Sequence, residues 1–265
     1  MFLFAALVFG YLVPVIAGKS ITAEQTELGI VFGSELWWVE VVFLAFNTFM
    51  SGLFPLLIGG FISADSLASE LDSKTIIPLL SQPVRRAEVY FGKFLAKVLL
   101  LLMVSILFTL LELAGSVASV GAQTQLDMFP LLVLAEFGAF LEFAALAFFF
   151  GSFARSGAMV LGILITALLF ITGIALLLGL QFGLHEYMFF LPVTNAEFLV
   201  NVVPYYVVQP WGVMVLQGNM LSAPTVPVVV SVISALQDVV AGFLINLVAA
   251  LGAGYYFFRR AEVKE

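Results

Sequence analysis

Residues 156–184 read SGAMVLGILITALLFITGIALLLGLQFGL and contain no Asp, Glu, Lys or Arg. A helix needs about 20 consecutive apolar residues to cross the hydrocarbon core of a bilayer, so this stretch is long enough to span it. The whole chain has the same character, because 63% of its 265 residues are hydrophobic and 10% are charged, whereas soluble domains carry about 25% charged residues. The mean hydropathy is +1.16. The sequence is therefore that of an integral membrane protein.

Further apolar runs, each bounded by polar residues, predict additional membrane spans. We expect an all-α, polytopic fold that forms a single transmembrane domain over residues 1–265, with six spans at about 2–17, 36–63, 94–119, 128–151, 158–180 and 228–258. The first of these spans is the shortest. A signal peptide cleaved after Ala17 is an alternative for it, although the positively charged start that such peptides have is missing.

Basic residues are distributed unevenly among the segments that join these spans. Eight lie in 64–93, in 152–157 and in the C-terminal tail, namely Lys74, Arg85, Arg86, Lys93, Arg155, Arg259, Arg260 and Lys264. The alternate segments contain one, Lys19. Because basic residues favour the cytoplasmic side of a membrane, we expect a multi-pass protein of the plasma membrane with both termini and the 64–93 loop in the cytoplasm.

The segment 181–227 is largely apolar but is not patterned like a span. Prolines cut it into pieces that are too short to cross the membrane, at Pro204, Pro210, Pro224 and Pro227. Such pieces are typical of a re-entrant segment, which is tolerated at membrane depth where it is buried in protein or lines a cavity. Thr194 and Glu197 have the spacing of a capping box, which predicts a short helix that begins at Asn195. We expect an external re-entrant segment, with an ordinary external loop as the alternative.

Several classes of function lack the residues that they require. The chain has no cysteine and one histidine, His185, so we expect no metal site. Gly18-Lys19-Ser20 ends like a phosphate-binding loop, but Val13 stands where that motif requires glycine. Neither a G-x-S-x-G nor an H-E-x-x-H hydrolase motif occurs. We therefore expect no catalytic residue and no cofactor in this chain and, without a basic stripe, no nucleic-acid partner.

Carboxylates inside the predicted spans are candidates for a translocation path. Glu136 and Glu142 both lie in the fourth span, with Glu142 near the bilayer midplane. An ionised acid at that depth costs about 2.5–3.5 kcal/mol on insertion scales unless it is paired, protonated or hydrated. These acids either line a hydrated path or form hydrogen bonds between helices, and the sequence leaves both readings open for Glu142. For the shallower Glu40, Glu112 and Asp238 we favour the structural reading.

The loop 64–93 is too long for a simple turn and carries eight charged residues. Ile76, Ile77, Leu79 and Leu80 lie among those charges and would offer an exposed apolar surface to a soluble partner. The alternative is that the basic residues of the loop only fix the topology and contact lipid headgroups.

A motif runs through the same loop into the third span: Glu70, Thr75, Leu79-Leu80, Pro83-Val84, Arg86, Glu88 and Gly92-Lys93. Together with the six-span layout, it resembles the membrane subunit of type-2 ATP-binding-cassette exporters. Two positions depart from the family pattern. Lys74 replaces the usual glycine, and Arg85 stands where Ser or Thr would form a capping box with Glu88. We therefore expect the third span to start differently from its relatives.

The resemblance implies a permease that pairs with a second copy as a homodimer in the lipid membrane and with two cytoplasmic ATPase subunits. ATP and Mg²⁺ would bind to those ATPases, which would drive export or a mechanical output. The resemblance also implies that the 64–93 loop contacts the ATPases through a coupling helix, with Glu70, Thr75, Ile77, Leu79, Leu80, Pro83, Arg86, Glu88 and Lys93 as its contact residues. The competing hypothesis is a secondary, proton-coupled transporter that uses the intramembrane carboxylates, although the inverted repeats of such transporters are not visible in the sequence.

Cysteine labelling tests the topology directly, because the chain has no native cysteine. We expect Ser81→Cys and Ser156→Cys to react with a membrane-impermeant maleimide only in permeabilised cells, since both lie in segments assigned to the cytoplasm. Ser222→Cys, in the external segment, should react in intact cells and serves as the positive control. Labelling of either cytoplasmic position in intact cells would overturn the assignment.

Overall fold

The computed structural model describes residues 11–12, 15–16, 56–73, 84–120, 126, 129–154, 156–182, 190–192, 194–196, 199, 213–216 and 228–260. Most of the first predicted span, residues 36–55 of the second and residues 74–83 of the 64–93 loop lie outside this part of the chain. The six-span count therefore stays a prediction.

The described chain is helical apart from one pair of short strands. Its elements are a π-helical turn Leu56–Gly60, α1 Phe61–Ala64, α2 Ala68–Asp72, α3 Arg86–Val120, α4 Phe129–Gly151, α5 Gly157–Phe182, β1 Val213–Leu216, β2 Val228–Ser231 and α6 Val232–Arg260. Helices α3 to α6 correspond to the last four predicted spans. The predicted helical class is thus confirmed for the greater part of the described residues.

Three of the described helices are long and apolar enough to cross a membrane, over Arg86–Ala118, Phe129–Gly151 and Ser234–Arg260. Helix α5 is 26 residues long and carries no charged residue. Helix α3 begins at Arg86, eight residues before the predicted start of the third span at 94. The prediction counted only the apolar residues that lie in the hydrocarbon core. The helix begins earlier because its polar first turns lie outside that core.

One short strand pair accompanies the described helices. β1 and β2 are antiparallel, with Val213 opposite Ser231 and Leu216 opposite Val228. The β2 residues Val228 to Val230 are β-branched, a residue type that favours strands. The helix of the predicted sixth span therefore begins at Val232 rather than at 228.

Helix α4 lies at the centre of the described helices. Of its most apolar window, 78% is buried inside the protein, against 33% for α3 and 22% for α6. It packs against α3, α5, α6 and the π-helical turn. Small residues allow this close packing because they let helix backbones approach one another, and α4 is rich in them: Gly138, Ala139, Ala144, Ala145 and Ala147.

An aromatic cluster joins three of these helices at the end where α3 begins. Tyr90 of α3 is fully buried, and its ring centroid lies 5.8 Å from that of Phe148 in α4 and 5.5 Å from that of Phe258 in α6. Gly254 of α6 lies directly against the Tyr90 ring, where a larger residue would collide with it. The cluster therefore holds the first turns of α3 against the last turns of α4 and α6.

Gly59 marks the closest approach between the π-helical turn and α4. A Cβ atom at this position would overlap the backbone carbonyl oxygen of Phe140. Backbone atoms cannot move aside as a flexible side chain can, so only glycine fits here. Glycine commonly permits such close contact between membrane helices.

We expect Gly59→Ala to destabilise the folded protein by about 1–3 kcal/mol, the usual cost of forcing extra atoms into a packed core. Thermal unfolding of the detergent-purified protein, followed by circular dichroism, measures the effect. Gly162→Ala is the matched control, because Gly162 is also helical but nothing lies within 4 Å of its added Cβ. The packing argument fails if both variants unfold at the same temperature.

Candidate functional site

Two carboxyl groups lie between α3 and α4. The carboxyl groups of Glu112 and Glu136 are close enough to interact electrostatically, and Thr109 Oγ1 donates to Glu136 Oε2 at 2.9 Å. All three residues are at most 2% exposed. Thr109 and Glu112 are three residues apart and so share one face of α3, the face that meets Glu136.

A second polar contact joins α4 to α6. Asn246 Nδ2 donates to Glu142 Oε1 at 2.7 Å, and the two residues are 8% and 1% exposed, respectively. Glu136 and Glu142 are six positions apart on α4, which places them about 120° apart around the helix axis. They therefore point to different neighbours, Glu136 to α3 and Glu142 to α6.

The two predicted path residues thus act as hydrogen-bond acceptors between helices. The structure brings each of them to a neighbouring helix and does not bring them to each other. A cavity of about 360 Å³ lies near one end of α3 and α4, but its lining is apolar: Leu110, Leu113, Leu126, Phe129 and Pro130. No group of three or more His, Cys, Asp or Glu side chains in the described ranges is placed to hold a metal ion. A role for Glu136 and Glu142 in translocation stays a prediction.

An ion pair joins the 64–93 loop, the candidate coupling loop, to the helix bundle. Lys93 Nζ of α3 lies 2.5 Å from Glu70 Oε2 of α2, and the two side chains are 24% and 35% exposed. Two of the residues expected to contact the ATPases are therefore in contact with each other. Five others of that set lie outside the described residues: Thr75, Ile77, Leu79, Leu80 and Pro83.

The start of α3 has one half of a capping box. Glu88 Oε2 accepts a hydrogen bond from the backbone N–H of Arg85 at 3.1 Å. Arg85 is the residue before the helix and Glu88 is its third residue, which is the spacing of the capping box. Arg85 lacks the hydroxyl group that would accept a hydrogen bond from the backbone N–H of Glu88. The reciprocal bond, from the backbone N–H of Arg85 to the Glu88 carboxylate, is present. The helix begins at Arg86, directly after this contact.

Two further contacts connect this end of α3 and the loop to other helices. Arg86 Nη1 donates to the backbone carbonyl of Arg259 at 2.7 Å, which joins the start of α3 to the end of α6. The carboxylate of Asp65 lies against Gly157 at the start of α5, where a Cβ would collide with it. A negative charge is favourable at a helix N-terminus. The segment 64–73 therefore contacts α5 through Asp65 and α3 through the ion pair of Glu70 with Lys93.

Sequence reasoning missed two residues of the polar contacts. Asn246 had a usable signal, because it is the only amide or charged residue between Val239 and Phe258 in an apolar span. Such an isolated polar residue favours a hydrogen bond to a neighbouring helix. Thr109 had no such signal, since many Ser and Thr residues of membrane helices bond only to their own backbone.

A family model described as ABC-2 family transporter protein matches residues 1–263. It covers nearly the whole chain, including the loop, the four described long helices and both polar contacts of α4. No curated protein matches the chain in a sequence search.

We expect Glu142 and Asn246 to show energetic coupling in a double-mutant cycle of Glu142→Ala and Asn246→Ala. Hydrogen bonds between membrane helices contribute about 0.6 kcal/mol on average and up to about 1.7 kcal/mol, which sets the expected coupling free energy. Reversible unfolding in mixed micelles measures it. The pair Glu142 and Thr109 serves as the control cycle and should be nearly additive, because its members are not in contact. Additivity in both cycles would contradict the hydrogen bond.

Proposed function

Because the chain belongs to the ABC-2 transporter family of membrane proteins, we propose that it is the permease subunit of an ATP-binding-cassette transporter, powered by a separate ATPase. The observation that carries this proposal is the attachment of the 64–73 segment to the helix bundle. The Glu70–Lys93 ion pair fixes α2 to α3, and Asp65 meets the start of α5. A loop held in this way transmits a displacement to several membrane helices at once.

The neighbouring segment 74–83 is the proposed contact with the ATPase. Ile77, Leu79 and Leu80 supply the apolar centre of that contact, and the charged residues around them form its rim. Thr75 and Pro83 lie in the same segment, between α2 and the start of α3. A push on this segment reaches α3 at Arg86 and Glu88, and through the Arg86 hydrogen bond it reaches the end of α6.

We further propose that two copies of the permease and two ATPase subunits form the working transporter, with ATP and Mg²⁺ bound by the ATPases. The output is export of a substrate or mechanical work on a partner outside the membrane. The long helices that receive the displacement also contain the contacts of Glu136 and Glu142. Those contacts would then be the places where the angle between α4 and its neighbours changes.

A secondary, proton-coupled transporter is the second candidate, favoured by one observation, the two neighbouring carboxyl groups of Glu112 and Glu136 buried between α3 and α4. Such a transporter would need these carboxyl groups to bind and release a proton during transport. The ABC permease is preferred because the pair has a sufficient structural role in joining α3 to α4. The two hypotheses differ in their energy source, so dependence of transport on ATP hydrolysis separates them.

Replacing Ile77, Leu79 and Leu80 together by Ala should lower the amount of ATPase that co-purifies with the chain at least about tenfold, because a few buried apolar anchors dominate most interfaces. Arg85→Ala is the control and should change binding little. The Arg85 side chain is exposed, and its described contact to Glu88 uses the backbone N–H, which alanine retains. A triple variant that keeps full ATPase binding and transport would remove the coupling role from this loop.

A further inference from the structure

Four arginines meet at one end of the helix bundle. Arg85 and Arg86 stand at the start of α3, Arg259 and Arg260 end α6, and all four are exposed. The hydrogen bond from Arg86 to the Arg259 carbonyl brings the two pairs together. The guanidinium groups of Arg85, Arg259 and Arg260 form no ion pair with any acid in the described part of the chain. This is a concentration of positive charge in a protein whose net charge is −7.

Aromatic and aliphatic side chains continue from the arginines toward the middle of the membrane. The rings of Phe91 in α3 and Tyr255 in α6 lie 5.6 Å apart, about one to one and a half turns from the arginines. The Arg260 guanidinium lies 4.2 Å from the centroid of the Tyr256 ring. The surface is therefore cationic at its edge and aromatic directly below, as in sites that hold amphiphilic molecules.

An exposed apolar stripe extends this surface along α3. Residues at a spacing of four share one face of a helix, and such a row begins at Phe91, which is 43% exposed, and continues through Leu95 at 59%, Leu99 at 58% and Met103 at 69%. From Phe91 to Met103 the row is about 18 Å long. This length is comparable to a lipid acyl chain that enters the membrane beside its headgroup.

We propose that the arginine cluster and the apolar stripe of α3 form a binding site for an anionic phospholipid. The guanidinium groups bind the headgroup phosphate, for which the planar arginine fork is well suited. The acyl chain lies along the stripe of α3. A soluble partner would account for the arginines but not for apolar contacts that continue about 18 Å into a membrane span. The charge of the cluster also matches the anionic lipids of a cytoplasmic leaflet.

The test uses the full chain purified in detergent and titrated with phosphatidylglycerol or with phosphatidylcholine of the same acyl chains, with lipid binding followed by native mass spectrometry. We expect tighter binding of phosphatidylglycerol. The variant Arg259→Gln/Arg260→Gln should bind it about 30-fold more weakly, since each basic residue near an anionic lipid surface contributes about a factor of five. These two arginines are outside the proposed ATPase contact, so the result does not depend on that proposal.

Two controls separate charge from folding. Arg259→Lys/Arg260→Lys keeps the charge and should keep most of the affinity, whereas Arg155→Gln removes a basic residue that is not one of these four arginines and should leave binding unchanged. Equal binding of both lipids, or full affinity in the double Gln variant, would overturn the proposal. The proposal would also fail if inorganic phosphate stabilised the protein against heat as much as phosphatidylglycerol does, which would identify a site for a free anion. Loss of ATPase binding with unchanged lipid binding in the double Gln variant would instead assign the arginines to the protein partner.

Discussion

A polar side chain inside a bilayer has to find its hydrogen-bond partner within the protein, because the hydrocarbon offers none. This constraint fixes the arrangement of the described helices around α4. Glu136 meets Thr109 and Glu112 on α3, while Glu142 meets Asn246 on α6. The two acids lie about 120° apart on α4, so turning α4 to improve one contact would break the other. Apolar packing alone would tolerate many rotations of a helix that is hydrophobic on every side, and these two contacts select one.

The membrane helices could be predicted from the sequence because the thickness of the bilayer sets the number of apolar residues that a span needs. The starts and ends of the helices depend on local chemistry. Arg85 and Glu88 were recognised as an altered capping box, but a backbone contact that remains after the hydroxyl is lost cannot be read from residue types. Val228 to Ser231 was assigned to a span because its apolar residues fit a strand as well as a helix.

Contacts between helices were harder to predict than the helices themselves. Glu142 and Asn246 are 104 positions apart, and their meeting depends on the rotation and tilt of two helices that one sequence does not specify. The same holds for Lys93 and Glu70, which the family motif singled out without indicating that they touch. The motif nevertheless predicted the family correctly, because it preserves residue types at fixed spacing in the loop even where the geometry is unknown.

The π-helical turn Leu56–Gly60 packs against α4 at Gly59 and leads directly into the segment that carries Asp65 and Glu70. A π-turn holds one residue more than an α-turn, so it stores a register offset in the second span. If this turn tightened to α-helical geometry, the chain before it would rotate by about 100° and advance by about 1.5 Å relative to the chain after it. Because Asp65 and Glu70 contact α5 and α3, such a tightening would rotate Leu56 relative to the segment that carries these two acids.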